Sequence, residues 1–169
     1  MNDQQNIALQ RLLRDRSGDV CRTWLERALS VYSAEYGRFV GSARNDFANP
    51  VGMIFREGLA HLFEALLDGA APDRCREALE PMIRLRAVQD MPPSRALAFI
   101  VELKDVIRKT LPERCDGTMA REDKSLLDAR IDRAALLAFD LYAESRENIF
   151  ALRINEMKRN TAQLRRRPR

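Results

Sequence analysis

Arg86, Gln89 and Asp90 form the tightest polar group in the chain, inside the stretch RLRAVQDMPPSRALAFIVEL. Their spacing of i, i+3 and i+4 puts them on one face of a helix. Met82 and Ile83 fall on the same side, so the group borders the core. Asp140 is its counterpart, an acid inside LLAFDLY. A buried carboxylate needs a cation or donors, and so does a buried cation. The pattern predicts an ion-pair and hydrogen-bond network joining helices, with Arg86 paired to Asp140 or Asp132 of the last helix. The sharper alternative is a polar ligand or switch site at the same place. That alternative would suit a small-molecule carrier with a pocket between helices near Arg86 and Asp140.

Other reactive residues are sparse. The single histidine, His61, lies seven residues after Ile54, at the edge of an apolar stripe. It reads as a partly buried structural side chain, with no context for haem and no identifiable Ser or Cys partner for nucleophilic catalysis. Cys21, Cys75 and Cys115 are odd in number and far apart, which argues for free thiols rather than a zinc site or disulfides. Cys21 and Cys75 fit helix-packing positions. No carboxylate pair stands in a context specific to hydrolysis. The expectation is a protein without catalytic residues, metal ligands or cofactor.

The elements that hold these residues are helical. The chain has 169 residues, 46% hydrophobic and 32% charged, enough for one domain with a real core and too apolar for a disordered chain. Only seven glycines and seven prolines, with few β-branched runs, favour helices over a sandwich or barrel. Helices are expected over 7–15, 18–36, 50–68, 72–80, 81–91, 93–111 and from 121 to 158 or beyond. Asn49 suits an N-cap, Pro50 a first helical position, and Gly69 a left-handed C-terminus. Gly58 sits inside an apolar stripe, where it costs roughly 1 kcal/mol relative to alanine. Close approach of another helix would compensate; a tolerated defect is the alternative. Pro81 is expected to kink or restart its helix, and Pro92-Pro93 to stop one helix and start the next. A ligand loop is the alternative for the proline pair. The segment AALLAFDLYA is apolar nearly all round and is expected to be buried on several sides.

No apolar run reaches the roughly 18–20 residues of a membrane span. The N-terminus lacks the basic start and apolar core of a signal peptide. A soluble, cytoplasmic protein is expected. Net charge is +4, but Lys158, Arg159, Arg165, Arg166, Arg167 and Arg169 carry six of the 29 bases. Taking those six away leaves 23 bases against 25 acids, so residues 1–157 form a near-neutral domain and 158–169 a basic tail expected to be disordered. That distribution argues against nucleic acid, which wants a basic face on the fold itself. Phe150, Ile154, Met157, Thr161 and Leu164 alternate by four and three. Such a seam either pairs two chains or faces the fold's own core.

Three stretches together carry a family resemblance: FANPVGMIFREGLAHLFEALL, IRLRAVQDMPPSRALAFIVELK and ARIDRAALLAFDLYAESRENIFALRINEMKR. In order and spacing they resemble the N-terminal domain of the RsbR/RsbRD proteins, co-antagonists of the RsbT kinase in bacterial stressosomes. The resemblance spans roughly residues 8–159. It implies an all-α, globin-like bundle with a long C-terminal helix that binds no haem. It further implies a sensory or regulatory module in stress signalling that dimerises and acts on a protein partner, as yet unidentified. Members of the stressosome type continue into a STAS domain bearing phosphorylatable threonines. This sequence closes on RRRPR, so no STAS output is expected. Pro92 stands where the family would place a serine before Pro93. Residues 72–91 hold no histidine where a globin would place its haem ligand, in keeping with a haem-free fold.

Overall fold

The structure, a computed structural model, describes residues 3–32, 50–111 and 118–165. Those residues form helices α1 (Asp3–Asp15), α2 (Ser17–Leu29), α3 (Pro50–Asp68), α4 (Pro72–Val88), α5 (Pro93–Thr110) and α6 (Thr118–Arg165), with no strand among them. The protein is all-α. Asn49, Cys115 and the expected loop residues 37–49 and 112–117 lie outside the described residues.

The apolar spacing sets the packing. Helix α2 turns Val20, Trp24 and Ala28 inward. They meet α3 and α5, while α6 lies along α4 and α5, and α1 closes one end against α2 and α6. Trp24, Phe55, Phe63 and Phe99 are buried at the centre. Phe55 and Phe99 meet edge to face, with centroids 5.7 Å apart. The Trp24 indole donates to the Phe99 carbonyl at 2.6 Å, which satisfies its one buried N–H.

Turn chemistry follows the sequence closely. Gly69 has φ +63°, the left-handed region that glycine enters without a Cβ penalty. Its N–H donates to the Leu66 carbonyl and the Ala70 N–H to the Ala65 carbonyl, at 3.3 and 3.0 Å. This is the paired bonding of a Schellman ending. The proline pair acts as a joint. Helix α4 stops at Val88, Pro92 is extended at φ −57° and ψ 141°, and α5 begins at Pro93. The Pro92 carbonyl then accepts from Arg95 and Ala96 at 3.0 and 2.8 Å.

Three expectations are corrected. Pro81 does not restart a helix; α4 runs through it from Pro72 to Val88. Pro81 and Glu77 are both exposed, so the carbonyl freed by the missing N–H faces water. AALLAFDLYA is not buried all round: Ala134, Ala138, Leu141 and Tyr142 are buried, but Leu136 is 68% and Phe139 53% exposed. Composition cannot distinguish a helix covered on one side from one covered on all. The last helix also continues to Arg165, through 158–165 of the segment expected to be a disordered tail.

Gly58 marks the crossing of α3 and α4. A Cβ there would sit 2.8 Å from the Met82 methyl, 2.9 Å from its sulfur and 3.1 Å from the Ala78 carbonyl oxygen. The methionine can swing aside; the backbone oxygen cannot without moving α4. Gly58→Leu is therefore expected to destabilise by about 1–3 kcal/mol or more through overpacking. A urea melt in which leucine raises the midpoint, as helix propensity alone would dictate, would disprove the tight crossing.

Candidate functional site

Arg86 is the one charged side chain fully buried among the described residues. It comes from the last turn of α4, one turn beyond Met82 on the core-facing side. Its Nη2 donates to the Ala28 carbonyl of α2 and its Nη1 to the Ala96 carbonyl of α5, each at 2.5 Å. The guanidinium carbon lies 4.7 Å from the Phe55 ring centre and 4.5 Å from that of Phe99. The cation is thus held by carbonyl dipoles and aromatic faces drawn from α2, α3 and α5. Burial pushes its pKa down, opposed by the Tyr32 hydroxyl and the Glu102 carboxylate. Its Nε has no hydrogen-bond partner among the described residues.

The expected pairing with Asp140 or Asp132 is overturned. Asp140 is exposed on α6. Asp132 takes the Lys104 ammonium at 2.6 Å on the surface between α5 and α6. Neither carboxylate is buried, so neither has a desolvation cost that a buried cation must offset. Arg86 and Asp140 are therefore not brought together at one site. His61 is exposed rather than partly buried, because the face of α3 next to Leu62 and Phe63 points outward there.

Gln89 and Asp90 belong to a second arrangement at the end of α4. Asp90 is left-handed at φ +58°, a conformation that aspartate tolerates better than most side chains. Its carboxylate pairs with Arg146. Arg146 Nη1 also donates to the Ala87 carbonyl at 3.0 Å. Gln89 accepts from the Tyr32 hydroxyl at 3.1 Å, and the Tyr142 hydroxyl donates to the Met91 carbonyl. The strained turn is therefore fastened to α6. A groove of about 350 Å³ opens beside it, between Met91, Pro92 and Pro93 on one side and Phe139, Tyr142 and Arg146 on the other.

That groove leads onto an apolar stripe. Leu136, Phe139, Phe150, Ile154 and Met157 are all between 47% and 68% exposed. With Ala143 and Arg146 they recur at spacings of three and four, so at 3.6 residues per turn they share one face, opposite the buried Ile131, Ala134 and Ala138. Arg146 stacks over Phe150 at 4.9 Å, linking the joint to the stripe. The expected seam of Phe150, Ile154 and Met157 does not face the fold's own core; Leu164 lies beyond the described side chains. Leu136 and Phe139 were missed as part of it. Their three-four spacing from Phe150 was legible, but their apolar neighbours masked it. Arg146 was also missed, although it stands four residues after Tyr142 on the helix.

Among the described residues, no group of His, Cys, Asp or Glu could hold a metal ion. No described helix is long and apolar enough to cross a membrane. Fold and site together define an all-α domain with one buried cation, Arg86, and an exposed apolar stripe on its last helix. The family model for the RsbT co-antagonist protein rsbRD N-terminal domain matches residues 18–157, and the chain belongs to that family. No curated protein and no solved structure matches it.

Replacing Arg86 should reveal what it contributes. Arg86→Ala leaves a cavity between two rings and removes both carbonyl partners' donor, an expected loss of about 2–5 kcal/mol. Arg86→Met keeps much of the volume without the cost of burying charge, and should recover a substantial part of that loss. Chemical denaturation measures both. A melt of Arg86→Ala superimposable on wild type would falsify the structural role of the buried cation.

Proposed function

We propose that this chain is a haem-free, globin-like regulatory module of the RsbT co-antagonist type, acting in bacterial stress signalling through protein–protein contact and without catalysis. Its working surface is the exposed stripe of α6, and its first partner is a second copy of the chain. The observation that carries the reading is the projection of α6. From Phe150 through Thr161 every described position is exposed, and the helix continues to Arg165. At 1.5 Å per residue the stretch from Phe150 to Thr161 extends about 18 Å with its side chains exposed among the described residues. An isolated helix of this length is marginal in water, and its apolar stripe calls for a helical partner. The family membership supports the regulatory role, and the Pro92-Pro93 groove lies where a partner side chain can enter beside the stripe.

Sedimentation at micromolar concentration tests this. Wild type should be dimeric, and truncation after Lys158 should leave the dimer intact. The double variant Ile154→Glu, Met157→Glu should weaken it at least tenfold, since each buried apolar side chain is worth about 1.5–3 kcal/mol. A monomeric wild type would remove the dimer. A dimer indifferent to both glutamates would place the interface on another face.

The haem-free part has its own check. Purified protein incubated with hemin should show no Soret band. Stoichiometric hemin binding that disappears in His61→Ala would overturn it.

A further inference from the structure

A second groove, of about 400 Å³, lies at the opposite end of the α3–α4 pair, where the Gly69 turn meets α6. Its apolar floor is formed by Ala65, Leu66, Pro72, Cys75, Ala134 and Leu137. Its charged lining among the described residues is one-signed: Arg130 and Arg133, with no acid. Arg130 Nη1 donates to the Leu66 and Leu67 carbonyls at 2.8 and 2.9 Å, which fixes the guanidinium at the rim. Its Nη2 and Nε make no hydrogen bond among the described residues. Arg133 is exposed and, among the described residues, bonds only to the Ala129 carbonyl of its own helix, at 3.3 Å. The adjacent Asp68 is already taken by Arg14 and Arg74. Cys75 adds no negative charge, because burial raises its thiol pKa.

From this lining we infer that the groove binds an amphipathic carboxylate, with the apolar body on the floor and the carboxylate at the Arg130–Arg133 rim. The volume falls in the range of small-molecule sites, about 300–1,000 Å³. A guanidinium presents paired N–H donors that match a carboxylate's two oxygens, and two such groups without a competing acid select an anion. The ligand would bridge the α3–α4 corner and α6. It would then bear on the helix that carries the interaction stripe, and this regulatory consequence rests on the function proposed above. Binding itself does not.

Octanoate is the probe, with octanol as its uncharged counterpart, titrated calorimetrically into the full chain at neutral pH. Octanoate should bind saturably. Octanol, and octanoate with the exposed-site variant Arg133→Gln, should bind about tenfold more weakly or worse, the loss expected for a hydrogen bond to a charged group. Bound octanoate should also slow alkylation of Cys75 by iodoacetamide, followed by peptide mass spectrometry, while leaving Cys21 unaffected. The inference is overturned by three results: no saturable binding up to millimolar octanoate, equal binding of octanol with no effect of Arg133→Gln, or binding that leaves Cys75 unprotected. Oligomeric state does not enter these readouts, so failure here and failure of the dimer are separable.

Discussion

The last carbonyls of a helix find no N–H partner within it, and a bundle that buries helix ends must supply donors from elsewhere. Here arginines supply them. Arg86 reaches the end of α2 at Ala28, Arg130 the end of α3 at Leu66 and Leu67, and Arg146 the end of α4 at Ala87. Arg16 reaches the end of α5 at Thr110, at 2.6 Å. Each contact places a cation at the negative end of a helix dipole and ties that end to a distant segment. Arg86 differs in depth. It alone must be compensated without water, which is why two aromatic rings and two carbonyls converge on it.

The same constraint divides the labour of α6. Arg130 and Arg146 stand sixteen residues apart and lock α6 to the ends of α3 and α4, while Ile131, Ala134 and Ala138 fill the space between the helices. The opposite face carries Leu136, Phe139, Phe150, Ile154 and Met157, an exposed apolar stripe among the described residues. Both grooves form where an arginine strut holds α6 against a turn. One follows the Asp90 turn and one the Gly69 turn.

Local features were legible because they depend on backbone chemistry near in sequence. Gly69 ends α3 because a left-handed residue is needed there, and Pro92-Pro93 separates α4 from α5 because neither proline can donate. Gly58 suggested either a helix crossing or a tolerated defect, and the crowding by Met82 and the Ala78 carbonyl decided for the crossing. The three-four spacing of Phe150, Ile154 and Met157 identified a shared face. The order of the three quoted stretches placed the chain in its family.

Partners across space were not legible. Arg86 needed compensation, as its position beside Met82 and Ile83 indicated, but main-chain carbonyls and aromatic faces carry no sequence signal as counter-groups. The nearest acids in the pattern, Asp132 and Asp140, lie on the outer side of α6 instead. Which side of AALLAFDLYA faces water depends on how far α6 is rotated against α4 and α5. That rotation is set by packing over many residues and by the Arg130 and Arg146 contacts. The sequence by itself determined the helical class, the breaks at Gly69 and Pro92-Pro93 and the clustering of basic residues at the end of the chain, because those follow from propensity, turn chemistry and charge counting; the continuity of α4 through Pro81 it did not. Only the tertiary structure decided which carbonyls the arginines meet and which apolar face stays uncovered, because both depend on distances between residues that are remote along the chain.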